Sequence, residues 1–319
     1  MEKKISIIVG GSGQFGITLS KQLLKKNHIV VVTTRNIAKA NKKINIKHKN
    51  LKIVKLNILK LDQINKIIKK YCPKFIFYFA SQSSPNLSFK KKNETHLSNY
   101  NGCKNFLEKI KINKLNCKFV NASSSEIFSN TNKKLNINSN KKPISPYGNS
   151  KLLAYKLTKY YRTKYKMKTY NAIIFNTESY YRDKNYLIPK ICIAAIRAYK
   201  FNEQTAFGNI NIAREWNWCE EQVKYLIKFL SKEPKDFLLS NQKLFSAKEM
   251  LRYAFEYFGL NYQNFISLKN KFLRPKDFII RRSNSSLIFK KNNINFAYKV
   301  YGKRIIYKLI RYYINEKKY

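Results

Sequence analysis

The chain has 319 residues, 44% hydrophobic and 14% aromatic, which is the composition of a globular protein with a sizeable core, built as one large domain or two interlocked ones. Lysine and arginine number 65 against 17 acids, a formal net charge of +48, but the lysines are scattered in short pairs and triples such as Lys90-Lys91-Lys92, so a solvated basic surface is expected and no specific nucleic-acid site. Five unpaired-looking cysteines (Cys72, Cys103, Cys117, Cys192, Cys219) without metal spacing, no signal-peptide cleavage site and no run of about 20 apolar residues lead to the expectation of buried thiols, no metal, no membrane span and a soluble cytoplasmic protein.

Ile5 to Val9 is a β-branched run of the kind a buried parallel strand uses. Gly10-Gly11-Ser12-Gly13-Gln14-Phe15-Gly16 follows, and then a helical pattern through Leu19, Leu23 and Leu24. Glycines at 10, 13 and 16 allow a tight turn, close backbone approach to a pyrophosphate and close packing of helix on strand, with phosphates at the helix N-terminus. The spacing differs by one residue from the usual dinucleotide fingerprint. A second strand, Ile29 to Thr33, ends in Thr34-Arg35-Asn36, where no acid stands to hold an adenosine ribose. Arg35 can pair with a 2′-phosphate instead, so NADP is expected over NAD.

Leu51 to Leu56 reads as a third strand reaching Asn57-Ile58, Leu61 to Tyr71 as a helix, and Phe75 to Phe79 as a fourth strand. Its end, Ala80-Ser81-Gln82-Ser83-Ser84, carries small residues that let the backbone approach a cofactor ribose. Helical periodicity covers Thr95 to Ile112, and Phe119 to Asn121 is a fifth strand running into Ser123-Ser124-Ser125-Glu126. A long helix then holds Tyr147 and Lys151 and extends to about Tyr165. A spacing of four puts those two side chains on one helix face, where an ammonium favours the phenolate and makes Tyr147 a base near neutral pH. A strand near Thr169 to Phe175 closes this alternating region, which argues a doubly wound parallel sheet with its ligand at the strands' carboxyl ends. Beyond Asn176-Thr177-Glu178-Ser179 the alternation weakens. Helices are expected at Pro189 to Tyr199, Glu220 to Leu230 and Ala247 to Phe258, with a basic tail after Arg274-Pro275. The reading is a Rossmann-type α/β domain over residues 1–175 and a smaller, interleaved, mixed α/β substrate-binding portion over 176–319.

With these residues placed, the chain resembles the extended short-chain dehydrogenase/reductases, and among them the GDP-mannose 4,6-dehydratases. The resemblance rests on Gly10-x-x-Gly13-Gln14-x-Gly16, Ala80-Ser81-Gln82-Ser83 with Ser88-Phe89, Ala122-Ser123-Ser124-Ser125-Glu126, Ser145-Pro146-Tyr147-Gly148 with Lys151, Phe175-Asn176 with Glu178-Ser179, Arg214-Glu215-Trp216 and Arg274-Pro275. It implies that Gly10, Gly13, Gln14, Phe15, Gly16, Thr34, Arg35, Asn36, Asn57, Ile58, Phe79, Ala80, Ser81, Gln82, Ser83, Tyr147, Lys151, Thr177 and Arg182 line an NADP site. It implies further that Ser124, Glu126, Tyr147 and Lys151 form the catalytic group, and that Ser88, Asn176, Arg214 and Arg274 face a GDP-sugar. A homo-oligomer, dimer or tetramer, is part of the same implication. The sequence departs from the family where Ser124 replaces a threonine, Asn57 an aspartate, Thr177 a histidine, and Ser84-Pro85-Asn86 a His-Val-Gly-like run beside the sugar.

A 4,6-dehydration is an internal redox reaction: a base takes the C4 hydroxyl proton as hydride leaves C4, a carboxylate removes the acidified C5 proton, water leaves from C6, and the hydride returns there. Tyr147 with Lys151 suits the first task and Glu126 the second. A nucleotide-sugar 4-reductase or epimerase needs the tyrosine and lysine but no such acid, so Glu126 discriminates between the two enzyme readings. A basic nucleic-acid-binding module is the third alternative.

Overall fold

Runs such as Ile-Ile-Val and Val-Val-Val have apolar side chains on both faces, and only a sheet covered on both sides can bury them. In the computed structural model, which describes residues 3–273 and 275–319, seven strands do so: β1 (Ile5–Val9), β2 (Ile29–Thr34), β3 (Leu51–Lys55), β4 (Phe75–Tyr78), β5 (Lys118–Ser124), β6 (Thr169–Ile174) and β7 (Asp236–Leu239). Their order is β7-β6-β5-β4-β1-β2-β3, and every neighbouring pair is parallel. The expected doubly wound sheet is therefore present, with its switch point between β1 and β4.

The chain divides into two compact units, Met1–Ser129 with Ile137–Ile174 and Val223–Leu239, and Asn130–Asn136 with Phe175–Gln222 and Ser240–Tyr319. The first holds the sheet and the helices α1 (Gln14–Lys25), α2 (Ile37–Ile44), α3 (Leu61–Tyr71), α4 (Pro85–Lys90), α5 (Lys92–His96), α6 (Gly102–Ile112) and α7 (Pro146–Lys164). Its core joins Ile7, Val9 and Phe119 of the sheet to Ile64 and Ile68 of α3, Phe106 and Leu107 of α6, and Ala154 of α7. The expected single helix from Thr95 to Ile112 is broken by a π-helical turn at Leu97–Asn101. Helix α2 and strand β7 answer to no sequence expectation. In α2 only Ala40 and Ile44 are buried, too few to produce a period, and β7 is four residues long. One carboxylate fixes β7 at the sheet edge: Asp236 Oδ1 accepts from Arg162 Nη2 of α7 at 2.6 Å and from Asn171 Nδ2 of β6 at 3.0 Å, while Oδ2 accepts from Tyr155 Oη at 2.7 Å.

The second unit is built around α8 (Leu187–Phe201), α10 (Ala247–Glu256) and α12 (Lys303–Asn315), whose Ile191, Cys192, Met250, Leu251, Ile306, Leu309 and Ile310 share one core. Helix α9 (Cys219–Phe229) leads the chain back into β7, and a short α11 (Ser286–Lys290) follows the small sheet described below. The stretch expected as a basic tail contains α12, which buries Ile305, Ile306, Leu309, Ile310 and Tyr313 along one face. Strand Ala213–Arg214 lies between Phe245–Ser246 and Ile280–Arg281, and Thr177–Glu178 pairs in parallel with Asn217–Trp218. Four cysteines are buried as expected, but Cys72 is exposed, because it caps α3 in a left-handed conformation with φ 38° that turns the chain away from the core. Among the described residues no helix is long and apolar enough to cross a membrane, and no group of three or more metal-ligating side chains converges.

Candidate active site

At the end of β1, Gly10 has φ +76°, and a Cβ on it would lie 2.6 Å from the backbone nitrogen of Ala80. Any other residue would be strained there and would push the first turn off the end of β4. Gly13 is the N-cap of α1, no side chain caps this helix, and a Cβ there would meet nothing nearer than Gly10 O at 3.5 Å. Gln14, Phe15 and Gly16 form the first helical turn, Gly16 packed on the backbone of Gly11 and the Phe15 ring 5.6 Å from that of Phe79. A helix N-terminus whose N-cap glycine offers no side-chain cap, flanked by bare backbone, is a cradle for phosphate. These residues fit a dinucleotide.

The neighbouring strand ends carry the rest of the expected cofactor residues of this unit. Asn36 caps α2, its Oδ1 accepting from Lys39 N at 2.9 Å, and Thr34 Oγ1 donates to the Asn36 carbonyl, so the turn is fixed while Arg35 between them is exposed. Asn57 is held by Gln63, whose Oε1 accepts from its backbone N–H at 2.9 Å, and the Ile58 carbonyl accepts from Asn105 Nδ2 at 3.0 Å. After β4, Ser81 Oγ donates to the Gln82 carbonyl, Gln82 Nε2 donates to the Ser84 carbonyl, and Ser83 is exposed.

The catalytic candidates are assembled where β5 meets α7. Ser124 ends β5, and its Oγ accepts from Glu126 N at 3.2 Å, which closes the 3₁₀ turn Ser125–Ile127 and leaves Glu126 half-buried. Ser145 Oγ caps α7 by accepting from Gly148 N at 3.0 Å, and Pro146 starts the helix. Tyr147 therefore sits in the first turn, where the helix's positive end favours a phenolate. Lys151 follows one turn on, its Nζ 5.8 Å from the Tyr147 ring centre and donating to the Ala122 carbonyl of β5 at 2.9 Å. Lys151 is only 3% exposed. Burial lowers it to about 8, opposed by the nearby Cys103. Gly148 has the role that sequence reasoning left blank: a Cβ there would stand 2.6 Å from the Glu126 carbonyl and 2.8 Å from Pro143.

Two further residues escaped the sequence reading. Asn99, in the π-helical turn, accepts from Gln82 N at 3.0 Å and donates to Ser150 Oγ at 3.0 Å, and Ser150 Oγ donates to the Tyr147 carbonyl at 2.8 Å. This chain of bonds ties the end of β4 to the first turn of α7. An asparagine buried in a distorted helix would be a signal elsewhere, but this sequence is rich in asparagine.

Ser88 is buried, and its hydroxyl donates to the Pro85 carbonyl at 2.5 Å. The remaining candidates belong to the second unit. Thr177 Oγ1 lies within hydrogen-bond distance of Gln222 Oε1 at 2.6 Å and of the Phe175 carbonyl at 2.9 Å, and the Asn176 carbonyl accepts from Asn217 N at 2.9 Å. The Arg182 guanidinium stacks on the Tyr186 ring at 3.6 Å. Arg214 is 2% exposed, and its Nη groups donate to Asp277 Oδ1 at 2.8 Å and to the carbonyls of Ala213, Phe278 and Ile279. Arg274 lies outside the described residues.

Residues 7–294 match the family model of GDP-mannose 4,6 dehydratase. GDP-mannose 4,6 dehydratase 1 of Arabidopsis thaliana is 27% identical over 291 residues, covering 86% of this chain and 80% of the relative. The human GDP-mannose 4,6 dehydratase is 27% identical over 271 residues, covering 81% and 73%. Among solved structures, a dTDP-glucose 4,6-dehydratase from Bacillus anthracis in complex with NAD superposes with a TM-score of 0.85 at 16% identity, covering 99% of this chain and 98% of the other. A UDP-N-acetylglucosamine 4-epimerase from Methanobrevibacter ruminantium gives 0.86 at 18% identity, covering 99% and 100%. At these identities the structural likeness is one of fold.

The buried Lys151 makes a prediction that needs no substrate. Its proton is held more tightly in the unfolded chain than in the fold, so it lowers stability below pH 8, and the loss is recovered as pH rises to 10.5. The full difference is about 3 kcal/mol. In urea denaturation across that window, Lys151→Met should gain less stability with rising pH than the parent protein, whereas identical slopes would mean that the ammonium is well solvated.

Proposed function

The chain belongs to the GDP-mannose 4,6-dehydratase family, and from that premise we propose that it converts GDP-mannose, or a GDP-sugar closely related to it, to the 4-keto-6-deoxy sugar using NADP. It is a nucleotide-sugar 4,6-dehydratase; the sugar, the cofactor form and the residue roles are the proposal. The observation that supports it is the packing of Gly148 on the Glu126 backbone carbonyl, which brings the strand-end turn of Glu126 against the first turn of the helix that carries Tyr147, with Lys151 one turn on.

The glycine cradle at Gly10, Gly13 and Gly16, with Gln14, Phe15 and the strand ends at Thr34, Asn36, Asn57, Ile58 and Phe79 to Ser83, would hold the dinucleotide, and Arg35 its 2′-phosphate. When bound, the nicotinamide supplies a reversible two-electron acceptor that takes the hydride from C4 and gives it back at C6. Tyr147 removes the C4 hydroxyl proton, its phenolate favoured by the Lys151 ammonium and the helix end. Ser124 retains the hydroxyl of the family's usual threonine and can hydrogen-bond the C4 oxygen. Glu126 takes the C5 proton and can return it to the departing C6 hydroxyl as water forms. Ser88, Asn176, Thr177, Arg182, Arg214 and Arg274 are assigned to the nucleotides and sugar; for Arg214 this requires Asp277 to release a donor.

Two substitutions divide the reaction. Tyr147→Phe should stop both halves, as measured by mass spectrometry of GDP-mannose incubations. Glu126→Gln should slow water loss about 10²–10⁴-fold and suppress exchange of the C5 proton with solvent deuterium, while reduced cofactor still accumulates by absorbance. If Glu126→Gln dehydrates at the parent rate, the carboxylate is idle and another group takes the C5 proton; the epimerase or reductase reading takes over only if the parent protein itself removes no water from the sugar.

For the cofactor, Arg35→Ala should weaken NADP binding by roughly 1.5–3 kcal/mol, the worth of a charge-assisted hydrogen bond, and leave NAD nearly unchanged. Equal losses for both, measured by calorimetry, would remove the 2′-phosphate assignment.

A further inference from the structure

Within the second unit, the loop after β6 sinks a carboxylate into the part of the core where a thiol of α8 and a phenol of α12 are also buried. Glu178, on the short strand Thr177–Glu178, is 2% exposed; Cys192 of α8 and Tyr313 of α12 are buried beside it. Arg182 stands four residues on, its Nε 4.0 Å from Glu178 Oε2. Glu178 Oε2, Arg182 Nε and Tyr313 Oη are all buried without a hydrogen-bond partner among the described residues. A separation of 4.0 Å is beyond hydrogen-bond range, so this ion pair lacks the bonds that offset the cost of desolvating two charges. Arg182 is not loose, because its guanidinium lies flat on Tyr186 at 3.6 Å and its side chain keeps 18% of its surface open. It is a cation held in place, incompletely satisfied by the carboxylate behind it.

We infer that Glu178 is the proton-linked positioning partner of Arg182: the carboxylate retains the guanidinium in the free protein, and takes up a proton from solvent when Arg182 engages a phosphate of a bound nucleotide. This rests on the reading above that assigns Arg182 to a nucleotide. The physical reason is competition for one cation. A phosphate draws the guanidinium's donors, weakens its hold on Glu178 and adds negative charge nearby, and each change favours the neutral acid.

The surroundings support a neutral acid. Burial pushes Glu178 up to about 7, with Arg182 opposing. Cys192 and Tyr313 are driven up by their own burial, with the Glu178 charge adding to both, so neither supplies a compensating charge. The other titrating groups that act on Tyr313 are Tyr312 and Asp183, and the paired strand contributes Trp218, over whose ring Lys308 sits at 5.6 Å. Below pH 7 Glu178 is already protonated and binding needs no further proton; above it, each binding event must take one up. Affinity should therefore fall ~10-fold per pH unit above that point and level off below it.

The test is isothermal titration of the full chain with NADP⁺ and, separately, GDP, in buffers of different ionisation enthalpy on either side of pH 7. Uptake of one proton above pH 7 with one of the two ligands is expected, and the ligand that elicits it identifies which phosphate Arg182 meets. Glu178→Gln should bind that ligand with no proton uptake and a flat pH profile. Should that variant fail to fold, Arg182→Met should lose both affinity and uptake. Uptake that persists in Glu178→Gln, or an affinity in the parent protein that does not change with pH, would overturn the inference while leaving the assignment of Arg182 intact. If Arg182→Met binds both ligands as the parent does, the assignment itself falls, and the inference with it.

Discussion

The first turn of α7 lies so close to the end of β5 that no side chain fits between them. At Gly148 a Cβ would meet the Glu126 carbonyl, and three residues on Lys151 reaches the Ala122 carbonyl of the same strand. These two contacts set the helix's rotation and its distance from the sheet, so they decide where the Tyr147 phenol stands relative to Ser124 and Glu126. Ser145 and Pro146 fix where the helix begins, and the Gln82–Asn99–Ser150 bridge ties its first turns to the end of β4. A proton acceptor misplaced by an ångström loses much of its value, which is a physical reason for the density of constraints here.

In a chain of net charge +48 acids are scarce, and three of them hold separate parts of the fold together. Asp236 holds the sheet edge to α7, and Glu215 is enclosed by Ser240 and Ser283, accepting from the Ser283 N–H at 2.7 Å. Asp277 engages Arg214. Each is anchored by bonds that offset its burial, as buried charge requires. Glu126 differs in being half-buried at a strand end, with its backbone carbonyl against the first turn of α7, and is the carboxylate proposed to reach the substrate. Glu178 differs in being buried with an incompletely satisfied partner.

What the sequence made legible follows from which constraints are local. Strands such as Ile5–Val9 and Ile29–Thr34 are readable because burial on both faces demands an uninterrupted β-branched run, and Tyr147 with Lys151 because a spacing of four is a property of the helix alone. Helix α12 was hidden by Lys303, Arg304, Lys308 and Arg311, which disguise its apolar face as a basic tail. Strand β7 is four residues whose partner β6 ends 62 positions before it begins, and no local pattern announces such a pairing. The engagement of Arg214 depends on Asp277, 63 positions away, so its motif could be recognised and its bonding could not. Asn99 was invisible for a compositional reason, being one asparagine among many. The glycine cradle was legible because Gly10 is required by a backbone geometry, φ +76°, that other residues avoid.

In the proposed reaction hydrogen moves within one sugar from C4 to C6 while water is lost, with Tyr147 and Glu126 as the two bases. GDP-mannose carrying deuterium at C4, incubated with the purified chain and NADP⁺, tests this by mass spectrometry and proton resonance of the product. The expected product is lighter by one water and retains the deuterium, now at C6, with no net reduction of cofactor. A product of unchanged mass, or a dehydrated product whose C6 hydrogen comes from solvent, would contradict it.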